Sequence, residues 1–263
     1  MIKFITFGDG SKGLLDASKR IAREASKTGL FDEVHRYDFD VLHRRLPNFW
    51  SKHGKFILEN RRGAGYWIWK AHIIQAEMNN SRDGDVLMYC DAGCGIDNRL
   101  KLNFSKINPD TFDLTLFELD NHTIESWTNQ FTLHAMGVTK QTSSENLFAG
   151  GVILLRNGEP ARNLVKCWIE CCEEDESACL IDRNDLEPRI FREHRHDQSI
   201  LSILTRAAIS QNFLKVKSIP VTFIETDGSG IRAYRNKSGY PGSLVQNRIF
   251  KLIYNIKNYL LRE

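Results

Sequence analysis

Short apolar runs alternate with longer stretches in which apolar residues return every three or four positions, and that alternation predicts an α/β chain. Lys3 to Phe7 is β-branched and aromatic, a buried first strand. The loop Gly8-Asp9-Gly10-Ser11-Lys12-Gly13 follows. From about Leu14 to Thr28, Leu14, Ala17, Ile21 and Ala25 fall on one helical face, and Gly29 stands in the usual helix-stop position. Glu33 to Tyr37 reads as the second strand, so the chain opens as a nucleotide-binding half-sheet does.

Phe49 to Asn60 reads as helix, and Arg61 to Gly65 breaks the pattern. A further helix starts near Tyr66, with Trp69, Ile73 and Ala76 on one face. Asp85 to Cys90 is an almost fully apolar strand that ends abruptly in Asp91-Ala92-Gly93-Cys94-Gly95. Leu114 to Leu119 is another strand. Leu147 to Leu155 joins a small-residue turn, Ala149-Gly150-Gly151, to an apolar strand. Arg162 to Cys172 is helical, and the acidic stretch Cys172 to Pro188 reads as a surface loop. Asp197 to Ala208 is a helix with Ile200, Leu201 and Leu204 inward. Lys215 to Ile224 is a strand interrupted by Pro220, hence an edge. Asp227 to Gly242 reads as a flexible loop. Leu244 to Leu261 is a basic amphipathic helix with Ile249, Ile253, Ile256 and Leu260 in one stripe.

Composition narrows the class. A chain of 263 residues, 41% hydrophobic, suits one large α/β domain. A net charge of +3 is too small to argue for a nucleic-acid partner. No apolar run approaches the roughly 20 residues of a membrane span. The six cysteines include no paired CxxC motifs, which argues against a zinc ribbon. The opening MIKFITFG reads as a strand and not as a leader, so free thiols in a reducing cytoplasm are expected.

Five constellations carry candidate chemistry. Gly8, Gly10 and Gly13 match GxGxxG after a strand and before a helix, with Asp38 or Asp40 at the end of the second strand. That is the context of a dinucleotide fingerprint, or equally of a plain turn between strand and helix. Asp91-Ala92-Gly93 places a carboxylate and two small residues at the carboxyl end of a strand, where open sheets bind ligands. Such a carboxylate suits Mg²⁺ or Mn²⁺, and an Asp there also initiates turns. Lys70, beside Trp67 and Trp69, is either a phosphate contact or an exposed helix lysine. Ala149-Gly150-Gly151 lets a ligand or backbone come close. His194-Arg195-His196-Asp197-Gln198 is either a metal-binding cluster or a polar helix start with Asp197 as cap.

In order, GAGYWIWKAHII, GDVLMYCDAGC, ESWTNQFTLHAMG, LFAGGVILLRN and HRHDQSILSIL resemble a bacterial and large-virus group of glycosyltransferases with the GT-A plan. The resemblance spans about Met1 to Arg235 and implies a Rossmann-like domain over residues 1–243, with a central mixed, mostly parallel sheet flanked by helices. Residues 244–263 would form a separate C-terminal helix. The resemblance further implies a UDP- or GDP-linked sugar donor, a glycan or lipid-linked saccharide acceptor, and polysaccharide biosynthesis in the cytoplasm. The basic tail helix would either dock on the domain or lie on an anionic membrane, in peripheral contact with the inner membrane face. Donor contacts would come from Thr6, Phe7, Gly8, Lys70, Asp91, Ala92, Gly93, Gly150, Gly151, Gln198, Arg232 and Arg235. Asp91 would hold Mn²⁺ or Mg²⁺, although Tyr89 stands where related enzymes carry the first acid of DxD. Asp197 and His196 would be catalytic. The alternatives are an NAD-type oxidoreductase using GDGSKG and a non-catalytic nucleotide-sugar or carbohydrate-binding module.

Overall fold

The computed structural model describes residues 1–108, 111–183, 186–225 and 228–233. Its main sheet has six strands: β1 (Ile2–Phe7), β2 (Glu33–Tyr37), β3 (Val86–Cys90), β5 (Leu114–Thr123), β6 (Asn146–Arg156) and β7 (Val216–Pro220). Two short strands, β4 (Gly95–Ile96) and β8 (Ile231–Arg232), pair separately. The main sheet runs in the order β2-β1-β3-β6-β5-β7. The pairs β1–β2, β1–β3 and β5–β7 are parallel, while β6 is antiparallel to β3 and β5. This is the mixed, mostly parallel sheet flanked by helices that the alternation of patterns implied.

Side-chain alternation along the strands divides the core into two layers. Ile5, Phe7, Leu87 and Tyr89 face the helices Pro47–Glu59, Trp69–Asn79, Glu159–Ser177 and Asp197–Ser210. Phe4, Met88 and Cys90 face the other side, with Ile21 and Ala25 of helix Lys12–Lys27 and Phe104 of helix Arg99–Ile107. Gly8 is required by this second packing. A Cβ there would stand 2.4 Å from the Leu14 carbonyl oxygen, so only glycine lets the helix lie this close.

Several expectations change. Ala149, Gly150 and Gly151 are not a turn but lie within β6, because β6 pairs with β3 as far as Cys90↔Val152 and Gly151 accepts from the Asp91 amide. The acidic stretch after Cys172 is not a loop at its start. The helix continues to Ser177, and Cys179 and Leu180 are buried in the core. Strand β7 is an edge, as Pro220 required, but it ends there and a short helix, Thr222–Glu225, follows. Part of the glycine-rich segment is also ordered, since Ile231–Arg232 pairs with Gly95–Ile96. Arg235, the rest of that segment and the tail helix at 244–263 lie outside the described residues.

Candidate active site

From β1 the chain crosses to β2 on one side, and β3 lies on the other. That reversal opens a crevice at the carboxyl ends of β1 and β3. A cleft of about 580 Å³ occupies it. Phe7, Gly8, Asp9 and Gly10 line it after β1, and Asp91, Ala92 and Gly93 line it after β3. Gly150 and Gly151 come from β6, and His196, Asp197 and Gln198 from the start of helix Asp197–Ser210. Lys70, Trp67 and Trp69 close the floor, and Arg61, Arg62 and Arg195 stand among the lining residues.

The floor is organised by one buried ammonium. Lys70 Nζ lies 2.8 Å from Asp197 Oδ2 and 3.7 Å from Asp91 Oδ1, and it donates to the Gly150 carbonyl at 3.0 Å. It also sits 5.3 Å from the Tyr89 ring centre and 5.9 Å from that of Trp67. Burial opposes its charge, but Asp197 and Asp91 outweigh burial and hold its pKa above the usual lysine value. Burial pushes Asp197 up to about 6, with Lys70 working against the shift and Asp91 adding to it. Lys70 is thus neither an exposed lysine nor a spare cation for phosphate. It joins two carboxylates that would otherwise repel.

Asp91 is reached from below by Tyr89, two residues earlier on the same face of β3, whose phenol donates to Oδ1 at 2.6 Å. Its other oxygen faces Gly151, where a Cβ would stand 3.0 Å away, and a Cβ at Gly150 would stand 3.0 Å from Gln198 Cβ. Both glycines keep the cleft open to a ligand. A divalent ion held at Asp91 would meet one carboxylate already engaged by a phenol, with a fixed ammonium 3.7 Å away. That donor set does not fit an ion held by the protein alone.

The backbone is strained where it borders the cleft. Gly63, Ala64, Gly65, Tyr66 and Trp67 all have positive φ, from 50° to 83°, a left-handed turn that costs non-glycine residues about 1–2 kcal/mol each. Gly63 and Gly65 are obligatory, since their Cβ atoms would strike the Trp67 ring at 2.3 Å and Ile57 at 2.8 Å. The turn aims Trp67 into the cleft and turns the Gly63 carbonyl toward Trp69 Nε1, which donates to it at 3.0 Å. Trp69 stacks on Phe7 with ring centres 3.8 Å apart. His196, at φ 52°, is strained as well.

The histidine cluster is neither of its two expected forms. His194 Nε2 donates to the Cys179 carbonyl and its Nδ1 accepts the Asn129 amide, so both nitrogens are used structurally. His196 Nδ1 donates to the Leu180 carbonyl at 2.5 Å, while its buried Nε2 has no hydrogen-bond partner. Burial lowers the His196 pKa to about 4, so the ring is neutral and Nε2 is an acceptor. His196, not Asp197, occupies the cap position, and the Asp197 carboxylate is turned to Lys70.

Of the residues read from sequence, Phe7, Gly8, Lys70, Asp91, Ala92, Gly93, Gly150, Gly151, His196, Asp197 and Gln198 come together in this cleft. Thr6 does not. It alternates with Phe7 and is buried on the opposite face of β1. Arg232 also stays outside, in β8, pairing with Asp97 at 3.0 Å. Sequence reasoning missed Arg61 and Arg62, to which the RRG step before the glycine turn points, and read Tyr89 only as replacing an acid, not as the donor to Asp91 two residues on.

The sequence matches no protein-family model and no curated protein. The backbone is similar to that of a glycosyltransferase involved in the glycosylation of the major capsid of PBCV-1, at 11% identity and a TM-score of 0.47, over 84% of this chain and 82% of that one. It is similar to mouse xyloside xylosyltransferase 1 at 15% identity and a TM-score of 0.42, over 84% and 85% of the two chains. A third similarity is to the galactosyltransferase LgtC, at 12% identity and a TM-score of 0.41, over 92% of this chain and 84% of that one. The functional reading therefore rests on the side chains of the cleft.

Neither acid of the dinucleotide reading, Asp38 or Asp40, lines the cleft, and Asp40 is exposed in the first turn of helix Phe39–Arg45. Asp38 accepts the Val41 amide as the cap of helix Phe39–Arg45 and pairs with Arg36 at 2.8 Å, so it is not free for a ribose. Among the described residues no helix is long and apolar enough to cross a membrane.

Proposed function

We propose that the chain is a glycosyltransferase that moves a sugar from a UDP- or GDP-linked donor to a hydroxyl of a glycan or lipid-linked saccharide. The observation that carries this reading is the pair of carboxylates, Asp91 and Asp197, held on one buried lysine at the floor of a switch-point cleft. A diphosphate is accommodated beside Gly8 and Gly10 at the start of the 16-residue helix Lys12–Lys27, whose positive dipole end favours an anion. Arg61 adds positive charge at the same cleft, while Arg62 is paired with Asp182 and Glu193. Phe7, Ala92 and Gly93 flank the nucleotide, and Asp91 accepts hydrogen bonds from donor hydroxyls.

In the reaction the bond from the anomeric carbon to the diphosphate oxygen breaks, and a bond to the acceptor oxygen forms. The acceptor's proton passes to Asp197, and the leaving diphosphate keeps the electron pair of the broken bond. Lys70 is a positioning residue that keeps both carboxylates ionised and in place. His196 Nε2 accepts a hydrogen bond from a sugar hydroxyl, and Gln198 orients the transferred sugar across Gly150. No step in this scheme runs through a divalent ion. Added Mg²⁺ or Mn²⁺ is expected to change turnover by less than about threefold.

The test is ligand-dependent melting combined with turnover. UDP or GDP should raise the melting temperature while NAD does not, and the matching nucleotide sugar should be consumed. Stabilisation by NAD with no response to nucleoside diphosphates overturns the reading. Nucleotide binding without turnover, for any acceptor sugar, leaves a binding module instead.

A further inference from the structure

Behind the cleft, away from the donor side chains, three helices bring together a second polar cluster. His53 belongs to helix Pro47–Glu59, His72 to helix Trp69–Asn79 and Glu173 to helix Glu159–Ser177. One donor atom from each lies within 4.8 Å of the others. His53 Nε2 is 2.6 Å from Glu173 Oε1, and His72 Nε2 is 3.1 Å from the same oxygen. The second approach is not a hydrogen bond, for His72 Nε2 is buried and has no hydrogen-bond partner. A buried imidazole nitrogen without a partner, 3.1 Å from a carboxylate oxygen, leaves its ligating capacity unused.

The surroundings fix this arrangement. Phe49 packs against both imidazoles, with ring centres 5.2 Å from His53 and 4.4 Å from His72. Lys52 holds the other carboxylate oxygen at 2.7 Å and leaves Oε1 to the histidines. Burial keeps both rings below the usual histidine pKa, so they are neutral donors at pH 7.

We infer that His53, His72 and Glu173 form a binding site for a zinc-class divalent ion. Two imidazole nitrogens and one carboxylate suit Zn²⁺, Co²⁺ or Ni²⁺, whereas Mg²⁺ and Ca²⁺ prefer oxygen. Donors about 2.0–2.1 Å from a tetrahedral zinc stand about 3.3 Å apart; here Glu173 Oε1 is 3.1 Å from His72 Nε2 and 2.6 Å from His53 Nε2, with all three atoms within 4.8 Å of one another. The ion would staple the layer that carries the active site. His72 lies two residues beyond Lys70 on one helix. The helix of Glu173 also carries Trp168, whose indole donates to the Asp197 carbonyl at 3.1 Å.

The experiment uses the full chain, stripped of metal by a chelator and titrated with Co²⁺ and then Zn²⁺. One Co²⁺ per chain should bind with the visible absorption of a nitrogen- and oxygen-ligated tetrahedral ion. Zn²⁺ should displace it and raise the melting temperature by several degrees. His72→Gln, His53→Gln and Glu173→Gln should each weaken Co²⁺ binding at least tenfold, while Asp91→Asn retains it. The wild-type titration stands without any variant: no one-to-one binding of Co²⁺ or Zn²⁺ at about 100 μM overturns the site. Binding that survives all three Gln variants, or is lost in Asp91→Asn, overturns it equally.

Discussion

Strand β1 and helix Trp69–Asn79 carry a buried ion cluster at each end, and the two clusters differ in how fully their charges are met. At the amino end of β1, Glu77 is ringed by donors, with its Oε1 hydrogen-bonded and its Oε2 held by ion pairs alone. It accepts from the Tyr37 phenol, lies 2.5 Å from His35 Nδ1 and 3.1 Å from Arg45, and has the buried Lys3 ammonium 3.9 Å away. At the carboxyl end, one lysine serves two carboxylates. Burial alone would raise the Glu77 pKa, but the bonds from His35 and Tyr37 and the charge of Arg45 bring it below the usual value. Asp197 moves the other way, up to about 6. A carboxylate with surplus donors is a structural anchor. One that shares its cation, at the edge of an open cleft, retains capacity for a ligand or a proton.

The strongest way to break this comparison is to remove the shared cation. Lys70→Met leaves Asp91 and Asp197 facing each other without a counter-charge, and denaturant unfolding should show a loss of about 3–5 kcal/mol. Glu77→Ala strips the donor-rich cluster and should cost about 3 kcal/mol of stability. Turnover of the folded fraction should stay within about twofold of wild type. A large loss of turnover in folded Glu77→Ala would erase the distinction between the two clusters. Glu77 also makes stability pH-dependent in a definite direction. Its folded pKa is depressed, so its contribution is present above the ordinary Glu value and is lost as pH falls through the lowered one.

Asp197→Asn sharpens the comparison on the functional side. Turnover should fall on the order of a hundredfold with little change in melting temperature. In wild type, a base with a pKa of about 6 must be ionised, so turnover should decline as pH drops below that value, and the variant should lack this limb. Near-normal turnover in Asp197→Asn removes it from the chemistry. The smallest effect belongs to Tyr89→Phe, which deletes the phenol on Asp91. Because Asp91 is 38% exposed, water replaces much of that bond, and donor KM should rise only about fivefold, near 1 kcal/mol.

Much of the cleft was legible before the fold was known, because its parts are punctuation in the sequence. Glycine steps, an acid closing an apolar run and a polar start to a helix each mark the carboxyl end of a strand or the opening of a helix, and such ends meet at a switch point. What sequence reading could not assign was direction. Thr6 and Phe7 are adjacent, yet a pleated strand sends them to opposite layers. Asp197 reads equally well as a cap or as a site residue until the Lys70 ammonium is found 2.8 Å away, 127 positions earlier in the chain. The error over Ala149-Gly150-Gly151 has the same origin, since three small residues look like a turn unless a partner strand supplies their hydrogen bonds.

The sequence by itself determined the six strands of the main sheet, the five longest described helices and several positions where the chain must bend, because hydrophobic period and glycine stereochemistry act over a few residues. Only the tertiary structure decided which polar side chains are charged, paired or left with an unused lone pair. Lys70 became a buried link between Asp91 and Asp197, His194 became a structural donor, and His53, His72 and Glu173 were gathered from three helices. The reason is physical: local conformation depends on neighbours in the chain, whereas the charge state of a buried group depends on partners that packing brings from any distance.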